Sequence, residues 1–271
     1  MFAAEDVLAG AAARVLSFRV GTDLAWAAGL ACGGEIEVLV ERVGEGGIPV
    51  AVLEGVLAAQ AERRMCVLET RFGGAHRLIE AVGDASGEAL RCWGGRRSFR
   101  EGEVFYQAVP PRPRLLIVGA VHVAQALAPL AVGVGFDVTV ADPRGALATA
   151  ERFPGVVVSA EWPDEVLAGF GVDAETAIVA LTHDAKLDDP TLAFAVRSAA
   201  FYVGALGSRR TQAARVERLR AGGASEAEVR RLRGPVGLAI GAVGAREIAL
   251  SIMAEVVAVW RGGVLGDVRG W

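Results

Sequence analysis

Three short segments in the second half of the chain carry the residues best suited to chemistry. Gly119-Ala120-Val121-His122 follows the apolar run 115–118, Thr182-His183-Asp184 follows 176–181, and Gly207-Ser208-Arg209-Arg210 follows 202–206. A glycine turn that runs into a helix start leaves backbone amides free for an anion, Ser208 can cap that helix, and Arg209 can fork onto two oxygens. The imidazoles of His122 and His183 can donate or accept a hydrogen bond, with Asp184 beside the second. Asp142 lies 23 residues after Gly119, where a dinucleotide fold holds a ribose hydroxyl; the plainer alternative is that Asp142-Pro143 only turns the chain. Asp188 or Asp189, just before Pro190, suits the cap of a following helix. In the first half, Cys32 with Gly33 and Gly34 behind it reads either as an accessible thiolate, nucleophile or soft ligand, or as a buried structural cysteine.

The elements that must position these residues divide at Pro110-Pro111-Arg112-Pro113, a connector that can continue neither helix nor ladder. Beyond it, apolar strands alternate with helices, the pattern of a doubly wound parallel sheet. Strands are expected at 115–118, 137–141, 156–159, 176–181, 202–206 and 237–241. Helices are expected near 123–131, 145–152, 163–169, 190–199, 209–221 and 225–233, with a closing helix from 245 to 260. In the usual strand order the first and fourth strands are neighbours, so His122 and His183 should meet at one sheet edge, joined there by Ser208. Before the linker, 5–16 reads as a helix, and 35–43, 65–72, 76–82, 88–93 and 103–109 read as strands between turn signals. The expected fold is therefore α/β: residues 1–109 form a smaller α+β domain, 110–113 a linker, and 114–271 a Rossmann-like domain.

Composition narrows the function. With 271 residues, 53% of them hydrophobic, a net charge of −4 and Lys186 as the only lysine, the chain should fold and should not coat nucleic acid. Three widely spaced cysteines suggest neither a disulfide framework nor a zinc ribbon, and a cytoplasmic location is expected. The uncharged stretch from 115 to 136 is broken by Gly119, Pro129, Gly133 and Gly135, so it is read as strand plus helix rather than as a membrane span. Val121 stands where a dinucleotide fingerprint has its second glycine, which weakens a nicotinamide-dependent oxidoreductase using NAD or NADP. The arginine-rich segment 215–233 reads as a solvated helical face or as a contact for an acidic partner, and the apolar stripe of the closing helix reads as core or as interface, the latter suiting a homodimer.

Taken together, RLLIVGAVHVA, FDVTVADPR, LTHDAKLDDP and FYVGALGSRRT, with GLACGGEIEVLVE before the linker, resemble the xanthine dehydrogenase accessory factor (XdhC/CoxI) family. The similarity covers nearly everything from Cys32 onward. The resemblance implies a chaperone of the molybdenum cofactor (molybdopterin), not itself an enzyme, that supports sulfuration and insertion of the cofactor into a xanthine dehydrogenase or carbon monoxide dehydrogenase type apo-enzyme. A cysteine desulfurase is an implied partner, and a scaffold that docks partners without binding cofactor is the rival within the family reading. By position it implies Cys32, Gly33 and Gly34 as a cofactor-handling loop, with Gly119, His122, Asp142, His183, Asp184, Gly207, Ser208 and Arg209 lining the crevice of the second domain. The family pattern has Gly-Ala-Gly-His where this chain has Gly-Ala-Val-His, and a further N-terminal stretch with a Gly-Gly-Cys segment. Met1 here stands almost against the first expected helix, so strands that close the first domain are expected to be missing.

Overall fold

The computed structural model describes residues 2–20 and 34–263. The chain forms two compact units, 1–111 and 112–271.

In the first unit, helix α1 (Phe2–Leu8) precedes an antiparallel pair, β1 (Arg14–Val20) and β2 (Gly34–Val40). Helix α2 (Val50–Ala61) leads into β3 (Cys66–Arg71) and β4 (Ala75–Ile79). Helix α3 (Gly87–Gly95), β5 (Phe99–Glu101) and β6 (Val104–Val109) complete an antiparallel sheet of order β4-β3-β6-β5. Alternation along β3 places Cys66 against Ala59 and Val56 of α2, and Val67 against Ala89 and Cys92 of α3. One helix thus covers each sheet face.

Two expectations fail here. The helix read over 5–16 stops at Leu8, because Gly10 takes a left-handed φ of 114° and the β-favouring residues after it pair with β2. The segment read as a strand at 88–93 is α3; Ala89 and Cys92, three residues apart, share one buried helical face.

The second unit is a six-stranded parallel sheet: β7 (Arg114–Val118), β8 (Asp137–Ala141), β9 (Val157–Ser159), β10 (Thr176–Ala180), β11 (Tyr202–Ala205) and β12 (Leu232–Arg233). Their order is β12-β11-β10-β7-β8-β9, which places the direction change between β7 and β10. Helices α4 (His122–Val134), α5 (Pro163–Phe170), α6 (Ala185–Ala195), α7 (Arg209–Ala221), the one-turn α8 (Glu226–Val229) and α9 (Ala245–Trp260) connect and cover it. Leu115, Ile117, Leu127, Ile252 and Val256 fill one side; Leu116, Val118, Leu192 and Leu219 fill the other. The α/β fold with a Rossmann-like second half matches the expectation. Among the described residues no helix is long and apolar enough to cross a membrane, and the uncharged stretch after Arg114 is β7 followed by α4.

Element boundaries differ where local signals compete. Residues 145–152 form turns rather than a helix, since Gly145, β-branched Thr149 and the nearby Pro154 oppose propagation. The helix expected at 190–199 spans Ala185–Ala195 and contains Pro190, because Asp184 rather than Asp188 or Asp189 caps it. The sixth strand is Leu232–Arg233, paired to Val203 and Gly204, so the helix expected at 225–233 shrinks to one turn. Residues 237–241, read as that strand, lie between two left-handed glycines, Gly237 and Gly241, and are irregular.

Leu127 and Ile252 are fully buried, so truncating either to alanine should cost about 2–5 kcal/mol of unfolding free energy. Leu250→Ala on the exposed side of α9 should stay within about 0.5 kcal/mol. Urea denaturation of the three variants checks the packing, and equal losses for Ile252 and Leu250 would contradict it.

Candidate functional site

All strand exits of the parallel sheet lie at one edge, and the central two are held in contact by backbone geometry. Val118 pairs with Ala180, and the Leu181 amide donates to the Val118 carbonyl at 2.8 Å. Gly119 follows at φ 107°; a Cβ there would stand 2.6 Å from Thr182 Cγ2 and 3.2 Å from the Thr182 amide nitrogen. This glycine serves the close approach of two strand exits, a demand an L side chain cannot meet. His122 then opens α4 with Val121 at its N-cap, where no side-chain oxygen takes up the free amides.

The exit of β8 is neutralised from within. The fully buried Asp142 accepts from the Ala120 amide at 2.8 Å, from the Arg144 amide at 3.0 Å, and from Arg144 Nε and Nη2 at 2.8 and 2.6 Å. Burial raises its carboxyl pKa, but the Arg144 guanidinium and the two amides outweigh that, and the net shift is downward. The residue read from sequence as a ribose-hydroxyl partner spends its oxygens on its own scaffold. The Arg144 side chain stays half exposed, so its guanidinium reaches the rim already paired to Asp142.

At the β10 exit, the Thr182 hydroxyl accepts from the Asp184 amide at 3.1 Å and donates to Asp188 at 2.5 Å. His183 between them takes the left-handed φ of 62°, a costly conformation for a residue with a side chain. Its imidazole and that of His122 are exposed and make no hydrogen bond or ion pair among the described residues. Asp184 is the N-cap of α6, accepting from the Lys186 amide at 2.9 Å.

Beneath these loops lies an ion pair that the sequence reading missed. Arg215 Nη2 donates to Asp188 Oδ2 at 3.1 Å and to the Leu206 carbonyl at 3.1 Å, while Nη1 donates to Gln212 at 3.0 Å. Both charged side chains are only 2% exposed. The segment read as a solvated arginine face therefore turns Arg215 inward, four residues before the buried Leu219 on the same face of α7. Ser208 caps α7 by accepting from the Thr211 amide at 3.1 Å.

The structure thus brings Gly119, His122, Asp142, His183, Asp184, Gly207 and Ser208 to one edge of the sheet, on the exits of β7, β8, β10 and β11. Arg209 lines a hollow beside β12, with Arg230 and Arg233, whose wall includes none of those residues. Gly34 opens β2 in the first unit, and Cys32 and Gly33 lie outside the described residues. Arg144 was legible from the Asp142-Pro143-Arg144 spacing. Asp188 and Arg215 share no local signal, being 27 residues apart. Among the described residues, no group of three or more His, Cys, Asp or Glu side chains is placed to hold a metal ion.

Two outcomes test this geometry. Arg215→Met leaves a buried carboxylate without its cation and should cost about 3–5 kcal/mol, whereas Arg215→Met with Asp188→Leu should regain most of that loss; additive losses in a urea double-mutant cycle would refute the pairing. Because the Asp142 carboxyl is lowered on folding, its stabilisation is complete above the ordinary carboxylate pKa and is lost as pH falls through the still lower folded value. Asp142→Asn should therefore flatten the fall of stability with acidification below about pH 4. An unchanged acid limb in urea midpoints would contradict that role.

Comparison with known proteins fits this architecture. The family model described as the XdhC Rossmann domain matches residues 115–256. The molybdenum cofactor insertion chaperone PaoD of Escherichia coli (strain K12) is 36% identical over 149 residues, 55% of this chain and 41% of PaoD. A Bacillus subtilis (strain 168) protein named as a probable xanthine dehydrogenase subunit is 36% identical over 156 residues, 57% of this chain and 45% of that protein. The Escherichia coli protein YqeB is 30% identical over 223 residues, 82% of this chain and 38% of YqeB. These alignments span less than half the length of each of the three relatives. A crystal structure of a Bacillus halodurans protein described as a xanthine dehydrogenase superposes with a TM-score of 0.71 at 25% identity, covering 96% of this chain and 79% of that one.

Proposed function

The chain belongs to the XdhC family, and on that premise we propose that it is a maturation factor that binds the molybdenum cofactor as cargo and hands it to a xanthine dehydrogenase or carbon monoxide dehydrogenase type apo-enzyme. The observation that carries this reading is the pairing of an open, imidazole-bearing switch point with a sealed Asp142. His122 and His183 stand exposed at the edge where doubly wound sheets take ligands, and neither is spent on an internal partner among the described residues. Peptide groups, imidazoles and the half-exposed Arg144 offer hydrogen-bond donors and acceptors to the edge of a pterin. The name of PaoD supports a carrier rather than a redox catalyst. Sulfuration of the cargo on this protein, a cysteine desulfurase partner, a cytoplasmic location, a homodimeric state and a cofactor-handling role for Cys32, Gly33 and Gly34 belong to the same proposal.

A nicotinamide-dependent oxidoreductase is the rival that the strand-glycine-helix entry favours. Val121 occupies the position of the second fingerprint glycine, and the Asp142 oxygens already accept four hydrogen bonds. A ribose diol would have to displace a guanidinium or an amide from a buried carboxylate.

Purified chain incubated with molybdopterin should retain it through gel filtration above an albumin control, and NAD or NADP should leave the melting temperature unchanged. Stabilisation by about 2.7 kcal/mol at a hundredfold excess over Kd would instead favour the dinucleotide. His183→Gly relieves a left-handed conformation, so its stability should hold or rise by about 1 kcal/mol while cargo retention falls. Full retention in both His183→Gly and His122→Ala would remove the switch point from the proposal.

A further inference from the structure

Beside β12 the same sheet edge carries a hollow of about 290 Å³, lined by Arg209, Arg230, Arg233, Gly234, Pro235 and Glu255 among others. It lies at the exits of β11 and β12, beyond the β7/β10 switch point. We infer that this hollow binds the phosphate end of a phosphomonoester, with Arg209, Arg230 and Arg233 as its cationic wall.

The charge arithmetic sets the ligand class. Three guanidiniums face one carboxylate, leaving a net charge of +2, which a dianionic phosphate ester balances. Glu255 is not a repulsive intruder. Its buried carboxylate accepts from the Tyr202 hydroxyl at 2.5 Å, the Gly237 amide at 2.9 Å and Arg233 Nη1 at 3.3 Å, so it is satisfied internally and holds Arg233 in the wall.

The arginines here are sorted by use. Of the eight between 209 and 233, Arg215 meets Asp188, Arg218 meets Asp189, and Arg220 meets Glu217 and Glu226. Arg231 is spent on the carbonyls of Val196, Ser198 and Ala200, and Arg233 on Glu255. The side chains of Arg209 and Arg230 make no hydrogen bond or close ion pair among the described residues, Arg230 having only the longer-range attraction of Glu226, which Arg220 already engages, and both line the hollow; the Arg210 side chain also makes none but lies outside it. Two guanidiniums without a close counter-ion in one concave wall repel each other and focus positive potential, a cost that an anionic guest offsets.

The wall is also built against movement. Gly234 sits where any Cβ would overlap the Gln212 side-chain amide, and Gln212 accepts from the buried Arg215. The volume is at the small end of ligand pockets, enough for a phosphate and the first atoms of its ester, with the remainder of the molecule outside. A nucleotide and a phosphorylated pterin share that chemistry. The pocket's charge balance holds whether or not the switch-point loops carry the cargo.

Titration calorimetry of the full chain at about 150 mM chloride decides the matter, with inorganic phosphate, AMP and molybdopterin as probes. Phosphate should bind saturably, and Arg209→Gln and Arg230→Gln should each weaken it about tenfold. Both side chains are exposed and make no hydrogen bond or close ion pair among the described residues, so circular dichroism should report native folding in the variants. Tighter binding of AMP than of phosphate identifies a nucleotide as the source, tighter binding of molybdopterin identifies the pterin, and equal binding shows that the site reads phosphate alone. His183→Gly should keep its phosphate affinity, and saturable phosphate binding by an unaltered chain that retains no molybdopterin through gel filtration sinks only the carrier reading. Absence of saturable phosphate binding, or unchanged affinity in the Arg209→Gln/Arg230→Gln double variant, overturns the site.

Discussion

The buried contact between Asp188 and Arg215 is the constraint on which the functional edge depends. A carboxylate and a guanidinium taken this far from water must meet each other and fill their remaining hydrogen-bonding capacity with fixed partners. Asp188 also accepts from the Thr182 hydroxyl, and the terminal nitrogens of Arg215 donate to the Leu206 carbonyl and Gln212, leaving only its buried Nε without a partner among the described residues. One ion pair therefore ties together the exit of β10, the exit of β11 and helix α7. Such a pair adds little net stability over a well-packed apolar substitute, but its geometry admits one arrangement of the loops above it.

Two consequences run outward from it. Toward the switch point, the Thr182 hydroxyl anchored on Asp188 also takes the Asp184 amide, and the backbone between them carries His183 in its left-handed conformation. An unfavourable φ survives because the surrounding hydrogen bonds over-determine it, and it presents the imidazole to solvent instead of to the sheet. Toward the outer strand, Gln212 carries the same network to the turn at Gly234, behind the arginine hollow. The imidazole rim and the cationic hollow share one scaffold.

On the opposite side of the switch point, Asp142 and Arg144 turn the dinucleotide position to a structural use. The carboxylate that would read a ribose instead secures the glycine loop through the Ala120 amide, and its guanidinium partner faces the rim. Positive charge gathers instead at the β12 end of the strand exits, at Arg209, Arg230 and Arg233, although the whole chain carries −4. Local arrangement decides what such an edge attracts, because focusing in a concave, low-dielectric wall outweighs a small distant net charge.

Sequence alone was sufficient for what depends on short-range pattern. Apolar runs such as 115–118 and 176–181 could only be strands buried on both faces, their alternation with helices implied the parallel sheet, and glycine-led exits marked the edge where Gly119, His122, His183 and Ser208 gather. The motifs LTHDAKLDDP and FYVGALGSRRT carried the family. Tertiary structure decided what depends on partners distant in the chain. Asp188 has the side chain of a helix cap and becomes half of a buried pair only because Arg215, 27 residues on, turns inward; Asp142 has the position of a ribose ligand but is consumed by the Ala120 amide of another loop and by Arg144. Residues 88–93 read as a strand until the sheet face they cover makes them a helix, and Arg209 lines a hollow shared with Arg230 and Arg233. Periodicity reports which face of an element is apolar; which polar group meets which is settled only when elements pack, since desolvated charges must find partners wherever the fold brings them.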